Sequence, residues 1–501
     1  MKKIKKEGAQ HGYWCTWLTQ NYIAERSYTK ERGVAPQFVG DQGAREARSV
    51  INEEAVFGRN GFAAQWGEIR SDLYLMFDDG WDVPYGVHPA DRRDAFGSLK
   101  LSEERFPFAK GDPAERLKAL SDRVKACGWK GLGIWVSAQR CGKNYLEPFS
   151  EKDEAYWRER ILWSKYAGVS YWKVDWGTSE HDNNFRRSLS ETAEKLYPEL
   201  VVEHAICCPP LNGVEAGVEK SEYGRFKGNR ELCSLAEIAV SYSEVFRTYD
   251  VLPAHSIAST LDRTAHLLRF AKGYLNVEDE MYLAAALGCQ AGIMRSGYGV
   301  GVDRWDDSER LQEVEAAILW QRIAPPFAGG EVYASEEILF DDYVYGADEV
   351  WYQIANGNRI EQGAPCAVSR NTPFPEVRAG ELGQKPFAVC ALHPNGAYSV
   401  AALPRTVGGK RGYIGGEVVC PIQKKPTCIA VFGMADRFTF VWERGISFGR
   451  ITARSVLSGE TVDISGDVTR TENGFTVDEK TLKKAWNGRD KSALAIILKF
   501  E

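Results

Sequence analysis

The sequence lacks the short patterns that mark several common classes of protein. It has no CxxC pair, no HExxH cluster and no GxGxxG after its first predicted strand. It also has no run of about 18 apolar residues, the length that a membrane-spanning helix needs. These absences argue against a zinc site, a dinucleotide-binding fold and a transmembrane protein.

The sequence also has no large excess of charge of one sign. The 63 Lys and Arg residues nearly balance the 69 Asp and Glu residues, which leaves a net charge of -6. A chain of this kind is not expected to bind nucleic acid. The N-terminal stretch MKKIKKEGAQHGYW starts basic but has no apolar segment, so no secretory signal is predicted. The eleven cysteines are scattered and odd in number, which favours reduced thiols in the cytoplasm.

Short apolar runs alternate with helical stretches as far as about residue 322, and this alternation predicts the fold class. Eight candidate strands span 12–17, 73–80, 131–137, 170–177, 200–206, 243–250, 273–277 and 288–297. Helices are expected at 112–128, 152–167 and 259–273. Eight strands alternating with helices predict an α/β fold, a (β/α)8 TIM barrel, rather than an open doubly wound sheet.

The pattern changes at RIAPPFAGG, after which short alternating segments and turn residues dominate. We therefore expect a catalytic barrel over 1–325 and a C-terminal antiparallel β-sandwich domain over 326–501. The stretch 18–70 is too long for one connection, so it is expected to be an insertion with a helix near 43–57. With 44% hydrophobic residues, the chain can form a core in each domain.

Charged residues collect where the predicted parallel strands end. In SYWKVDWG, Lys173 and Asp175 share one face of the strand with Tyr171, because successive strand residues alternate faces. A single acid at such a position is usually a cap or a turn residue, but five acids and two cations indicate a site. The candidate residues are Asp78, Asp79, Lys173, Asp175, Glu203, Arg247 and Asp250.

Two chemistries fit these residues, and a third possibility is binding without catalysis. In glycoside hydrolysis, Lys173 would favour the ionised form of Asp175 as nucleophile, and Asp250 would serve as the acid. In a Mg²⁺ enzyme of the enolase type, Asp175, Glu203 and Asp250 would bind the metal. A sugar-binding protein that has kept the pocket without turnover is the non-enzyme alternative.

Four motifs give the sequence a resemblance to a known family. YWKVDWG, LMFDDGW, FRTYD and the segment RFPFAKGDPAERLKALSDRVKACGWKGLGIW occur in order between about residues 10 and 320. Together they resemble the retaining α-galactosidases of glycoside hydrolase families 27 and 36. The resemblance implies a TIM barrel with a C-terminal β-domain, action on carbohydrate and no cofactor. It is also compatible with a homo-oligomer.

The resemblance implies a role for each matching residue. Asp175 is similar to the nucleophile and Asp250 to the acid/base, with a carboxyl separation of about 5–5.5 Å. The implied sugar-binding residues are Asp78 and Asp79 at O4 and O6, Lys173 at O3 and O4, Arg247 near O2, and Trp17 as an apolar wall.

The stretch VEHAICCPPLNG departs from the family pattern, in which a Cys-x-x-Gly loop reads the C2 substituent. Terminal α-galactoside, α-N-acetylgalactosaminide and β-L-arabinopyranoside therefore all stay open as substrates. Glu203 is expected either to bind O2 or to pair with His204 or Lys173. The insertion at 18–70 is expected to cover the site and alter the leaving-group side. Trp135 and Trp176 either wall the sugar or pack in the core.

Overall fold

A computed structural model gives the structure of the chain. It describes residues 12–24, 40–87, 95–139, 150–180, 182–205, 242, 245–247, 258–260, 281–293, 308–327, 330–344, 359–407, 410–443, 448–486 and 494–501. None of the helices in these ranges is long and apolar enough to cross a membrane.

The first part of the chain forms one eight-stranded sheet. Its strands are β1 (Tyr13–Cys15), β2 (Tyr74–Phe77), β3 (Gly131–Val136), β4 (Tyr171–Val174), β5 (Val201–Ala205), β6 (Val245–Arg247), β7 (Ala258–Thr260) and β8 (Ala291–Ile293). Strands β1 to β5 and β8 are buried at every position, as expected when a parallel sheet is covered on both faces.

The order of the strands is that of a TIM barrel. They follow β6-β5-β4-β3-β2-β1-β8-β7, and every neighbouring pair is parallel except β7 with β8. The first strand therefore lies between the second and the last, as in a closed barrel, whereas a dinucleotide-binding sheet reverses its order at the first strand. The predicted (β/α)8 barrel is confirmed.

Of two elements predicted near the end of the barrel, the structure does not test one and differs from part of the other. The expected strand 273–277 lies outside the described residues. The helix expected at 259–273 is wrong for Ser259 and Thr260, which belong to the antiparallel strand β7. Serine and threonine before an apolar helical pattern resemble a helix start, but pairing with β8 determines their conformation here.

Helices cover the barrel and fill its insertion. They are α1 (Trp17–Ile23), α2 (Gly40–Val50), α3 (Glu53–Phe57), α4 (Pro113–Ala126), α5 (Glu151–Ala167), α6 (Asn183–Leu196), α7 (Met281–Leu287) and α8 (Ser308–Gln321). The predicted helices at 112–128 and 152–167 are confirmed. Helix α4 starts with a capping box between Asp112 and Glu115, and α5 ends at the left-handed Gly168.

The insertion contains the predicted helix, but as two pieces. Helices α2 and α3 are separated at residues 51 and 52, where Asn52 caps α3 by accepting a hydrogen bond from the backbone N–H of Ala55. Short 3-10 turns at Phe62–Ala64 and Arg70–Asp72 then lead into β2. The insertion thus returns the chain to the barrel next to β1.

In the described residues after 330, the C-terminal part consists of strands and one short helix. The strands are β9 (Val332–Ala334), β10 (Ile338–Val344), β11 (Arg359–Pro365), β12 (Ala367–Arg370), β13 (Glu376–Ala379), β14 (Phe387–Leu392), β15 (Tyr398–Leu403), β16 (Arg405–Val407), β17 (Lys410–Gly412), β18 (Gly416–Ile422), β19 (Ile429–Gly433), β20 (Arg437–Trp442), β21 (Ile451–Ser455), β22 (Thr461–Asp463), β23 (Thr469–Thr471), β24 (Gly474–Asp478) and β25 (Ala495–Phe500). The helix is α9 (Glu479–Ala485).

Two large sheets form a sandwich, as predicted. Their orders are β9-β12-β14-β15-β19-β25-β21-β22 and β13-β18-β20-β24-β23. The rings of Trp442 and Phe475 in the second sheet lie 6.2 and 6.3 Å from Phe500 in the first. The prediction of purely antiparallel pairing is wrong, because β12 with β14, β15 with β19 and β18 with β20 are parallel. Alternating hydrophobicity determines which face is buried but not the direction of the partner strand.

Arg370 links the sandwich to the barrel. Its guanidinium is fully buried and donates to the carbonyl oxygens of Leu287 at 3.1 Å and Phe327 at 2.6 Å. A cation at the end of α7 satisfies carbonyl groups that the helix leaves free. The division into domains at 325 and 326 stays a prediction, although α8 and β9 lie on either side of it.

Candidate active site

Lys173 joins two carboxylates at the carboxyl ends of β2 and β4. Its Nζ lies 2.5 Å from Asp78 Oδ2 and 3.2 Å from Asp175 Oδ2. The side chains of Lys173 and Asp78 are 1% and 3% exposed, while that of Asp175 is 22% exposed. The shared face predicted for Lys173 and Asp175 is confirmed. The most accessible of the three groups is the carboxylate proposed to attack the sugar.

The chain turns sharply after each of these strands, and glycine allows both turns. Gly80 has φ +116°, and a Cβ there would lie 2.7 Å from the carbonyl oxygen of Arg48. Gly177 has φ +156°, and a Cβ there would lie 2.2 Å from the carbonyl oxygen of Ala138. The glycine that ends SYWKVDWG is therefore needed for close packing of the β3 and β4 ends.

Asp78 is held rigidly by groups from the end of β1. Its Oδ2 accepts from the thiol of Cys15 at 3.0 Å, and its backbone N–H donates to Thr16 Oγ1 at 3.0 Å. Burial, with the nearby charge of Asp78, raises the pKa of Cys15 well above its ordinary value. The thiol therefore stays protonated and acts as a donor. Cys15 could not be identified from the sequence, because a single cysteine in an apolar strand is usually only a packed core residue.

Asp79 pairs with an arginine from the insertion. Arg48 Nε donates to Asp79 Oδ2 at 2.7 Å, and the two residues are 6% and 1% exposed. Burial raises the pKa of Asp79, and the positive charge of Arg48 opposes that shift. The insertion thus contributes a charged side chain to the site. This extends the prediction that it covers the site, but Arg48 itself was missed.

Aromatic side chains border Asp175. Trp135 Nε1 donates to Asp175 Oδ2 at 3.2 Å, and the rings of Trp135 and Trp176 are 5.2 Å apart. Phe96 packs against Trp176 at 5.5 Å. Trp135 is fully buried, so it packs in the core, one of the two roles considered for it, while contact of either tryptophan with a sugar stays a prediction.

Arg186 fixes the ends of β4 and β5, and sequence reasoning did not single it out. It is fully buried on α6 and donates to the carbonyl oxygens of Val174, Asp175 and Ala205 at 2.9 to 3.0 Å. Burial lowers the pKa of its guanidinium. The only sequence signal is an arginine on the otherwise apolar face of a helix.

Glu203 lies on β5 directly beside Lys173, its register partner on β4. Its two oxygens accept from the hydroxyl groups of Tyr13 at 3.1 Å and Tyr171 at 3.0 Å. His204 lies on the opposite face of β5, where Nε2 contacts Ser190 Oγ at 2.7 Å. Burial lowers the pKa of His204 well below its ordinary value, so the ring is neutral. A Glu203–His204 pair is therefore wrong, because neighbouring strand residues face apart.

The remaining predicted residues are only partly described. Trp17 is 8% exposed and starts α1 directly after β1, at the same end of the barrel as the acids. The backbone of Arg247 ends β6 opposite Ala205. Asp250 lies outside the described residues, so its distance to Asp175 stays a prediction. No group of three metal-binding side chains occurs within the described ranges.

Asp82 is a further buried acid beside the site. Its Oδ2 accepts from the backbone N–H of Leu99 at 3.1 Å, and burial raises its pKa to about 7. Leu99 has a left-handed φ of +54°, which is unfavourable for a branched side chain. Asp82 thus anchors the loop that carries Phe96 to the aromatic border.

Several solved glycosidase structures are similar to this chain at low sequence identity. No family model and no curated protein matches the sequence. A family 27 β-L-arabinopyranosidase from Geobacillus stearothermophilus is 12% identical, with 98% of this chain and 97% of that chain covered and a TM-score of 0.39. A candidate α-N-acetylgalactosaminidase from Bacillus halodurans is 14% identical, with 100% and 98% covered and a TM-score of 0.42.

An α-galactosidase from Saccharomyces cerevisiae, solved with raffinose, is 10% identical over 98% of both chains with a TM-score of 0.36. These proteins are glycosidases of the kind that the four motifs resemble.

Proposed function

We propose that this chain is a retaining glycoside hydrolase that removes terminal α-linked galactose. Asp175 attacks the anomeric carbon while Asp250 protonates the leaving oxygen. A glycosyl-enzyme forms, and Asp250 then takes a proton from water as that water displaces the sugar from Asp175. Two inversions give net retention at the anomeric carbon.

The observation that supports this proposal most is the bridge from Lys173 to Asp78 and Asp175. A nucleophile must be ionised, and an ammonium group 3.2 Å away favours a carboxylate. The N–H of Trp135 adds a second donor to the same oxygen. Two donors therefore orient Asp175 before a substrate binds, which lowers the reorganisation needed for reaction.

The same geometry disfavours the Mg²⁺ alternative. A divalent cation bound by Asp175 would lie close to the positive charge of Lys173. Both oxygens of Glu203 already accept hydrogen bonds from tyrosine hydroxyl groups, so this carboxylate is satisfied without a metal ion. Two of the three proposed Mg²⁺ ligands, Asp175 and Glu203, thus already accept hydrogen bonds from protein donors. Loss of activity on EDTA treatment, with recovery on adding Mg²⁺, would favour the metal enzyme.

We propose a carbohydrate substrate and consider three glycosides whose sugars share the same ring stereochemistry. We place α-galactoside first, with α-N-acetylgalactosaminide and β-L-arabinopyranoside as the alternatives. We also propose a cytoplasmic location, in keeping with seven described cysteines that form no disulfide.

A panel of p-nitrophenyl glycosides of these three sugars tests the function. The proposal expects turnover of at least one of them and the highest kcat/KM for α-galactoside. Asp175→Ala should abolish turnover, and azide should restore it by replacing the lost carboxylate as nucleophile. Binding of sugar without turnover of any of the three would instead identify a sugar-binding protein.

A further inference from the structure

We propose that Arg48, on helix α2 of the insertion, is a specificity-determining residue that binds one hydroxyl group of the sugar together with Asp79. The inference depends on the proposed function, since it assigns a further residue to the same site. Arg48 lies about 30 residues before Asp79 in the chain and belongs to none of the four motifs.

The structure holds Arg48 firmly against the end of β2. Its carbonyl oxygen accepts from Arg105 Nη1 at 2.7 Å, and Gly80 leaves room for its backbone. These contacts fix the backbone of Arg48, and the hydrogen bond from its Nε to Asp79 Oδ2 fixes its side chain. The pairing is therefore a built feature of the site.

The pairing leaves one donor and one acceptor unused. An arginine can bind a carboxylate through two parallel hydrogen bonds, but here only Nε bonds to Oδ2. Arg48 Nη1 and Asp79 Oδ1 are buried without a hydrogen-bond partner among the described residues. Buried polar groups without partners are costly, so a ligand that satisfies both is favoured.

A sugar hydroxyl satisfies both groups at once. It can accept a hydrogen bond from Arg48 Nη1 and donate its own proton to Asp79 Oδ1. An apolar group would satisfy neither atom, and a carboxylate would satisfy only the arginine and repel Asp79. The arrangement therefore selects a hydroxyl at one position of the ring.

Aromatic contacts place the guanidinium beside the proposed reaction centre. The Cζ of Arg48 lies 5.1 Å from the ring centroid of Phe96 and 5.6 Å from that of Trp176. Trp176 packs on Trp135, which donates to Asp175. Arg48 and Asp175 thus border the same aromatic surface, and these contacts with the cation help to fix its position.

The test compares galactose with its 2-, 3-, 4- and 6-deoxy derivatives as competitive inhibitors of p-nitrophenyl α-galactoside hydrolysis. In the unchanged protein, removing the hydroxyl bound by Arg48 and Asp79 should weaken inhibition by about 10- to 100-fold. In Arg48→Met, that derivative should inhibit as well as galactose, while the penalties at the other positions remain. Asp79→Asn should remove the same penalty.

Controls separate recognition from folding. Arg45→Met changes an arginine of the same helix that donates to the carbonyl oxygen of Gly86, and it should leave all four penalties unchanged. Arg48→Lys keeps the charge without the Nη1 donor, so it should fold and still lose the same single penalty. Thermal unfolding of each variant shows whether it has folded.

Two different results would overturn the inference, and only the second would also overturn the proposed function. If Arg48→Met and Arg48→Lys fold and weaken inhibition by every sugar equally, or leave every penalty unchanged, Arg48 has only a structural role and the proposed function stands. If the unchanged protein neither hydrolyses the glycoside nor binds any of the sugars, the proposed function fails and the inference fails with it.

Discussion

At the scale of single residues, Lys173 forms ion pairs with two carboxylates of the candidate site at once, Asp78 and Asp175. Lys173→Met would leave Asp78 and Asp175 with no cation between them. We expect kcat/KM for the aryl glycoside to fall by about 100- to 1,000-fold. We also expect a loss of about 3–5 kcal/mol in the free energy of unfolding, measured by urea denaturation.

Lys118→Met is the matched control for this variant. Lys118 forms an exposed pair with Asp122 on α4, so its loss should change stability by less than about 1 kcal/mol and leave kcat/KM unchanged. A Lys173→Met protein that folds and retains kcat/KM within a few-fold of the unchanged protein would contradict the role assigned to the bridge.

Asp82 predicts a specific dependence of stability on pH. Burial raises its pKa in the folded protein to about 7, from 3.8 in the unfolded chain. The folded state therefore holds a proton that the unfolded chain releases at lower pH. The stability due to neutral Asp82 is complete below about pH 4 and is lost as pH rises through 7, by up to about 4 kcal/mol.

Asp82→Asn tests this dependence, because asparagine imitates the neutral acid. The free energy of unfolding of the variant should fall less between pH 5 and 8 than that of the unchanged protein. Asp122→Asn, at an exposed position, should keep the original slope. An identical pH slope in Asp82→Asn and the unchanged protein would show that Asp82 is ionised throughout.

At the scale of elements, the strand ends are positioned by side chains of the surrounding helices. Arg186 on α6 fastens the ends of β4 and β5 through three carbonyl groups. Arg186→Met should destabilise the protein by about 3–5 kcal/mol, because three buried acceptors lose a charged donor. The kcat/KM should also fall, since the backbone of Asp175 is one of the groups released.

Arg187→Met provides the comparison, because Arg187 is exposed on the same helix. Thermal unfolding should show a change within about 0.5 kcal/mol for this control and a large drop in Tm for Arg186→Met. Equal Tm values for the two variants would show that the ends of β4 and β5 are positioned by something other than Arg186.

The sequence predicted elements where one periodic pattern dominates. Helix α4 begins with an aspartate before proline, and β4 follows from an apolar run, so both were correct to within a few residues. Strand β7 was missed because only three residues pair and their propensity does not decide the outcome. The parallel pairs of the sandwich were also missed, because a two-residue period carries no information about direction.

The candidate site could also be predicted only in part from the sequence. Acids at strand ends were found because the barrel brings all carboxyl ends of its parallel strands to one rim. The sequence did not identify three further residues of the site, because their roles depend on contacts between segments that are distant in the chain. These residues are Cys15, Arg48 and Arg186. Glu203 shares the interior face with Lys173, but the tyrosines that bind it could not be identified from spacing alone.

At the scale of the whole molecule, the barrel and the sandwich share a buried contact surface. Ser399 donates to the carbonyl oxygen of Ala286 at 2.9 Å, and the rings of Tyr282 and Phe432 lie 5.0 Å apart. Helix α7 contacts β14, β15 and β19 of the sandwich on one side and β7 of the barrel on the other. The sandwich therefore supports the barrel at a distance from the carboxylates of β2 and β4.

A retaining reaction requires a covalent bond between Asp175 and the sugar, and trapping that glycosyl-enzyme shows which carboxylate carries it. A fluorinated galactosyl fluoride destabilises the oxocarbenium-like transition state while keeping a good leaving group, so the glycosyl-enzyme should accumulate. Mass spectrometry of proteolytic fragments should then locate the sugar on Asp175, and NMR of the first product of hydrolysis should show the retained anomer. A sugar attached to a different carboxylate, or an inverted product with no adduct, would show that Asp175 is not the nucleophile of a retaining reaction.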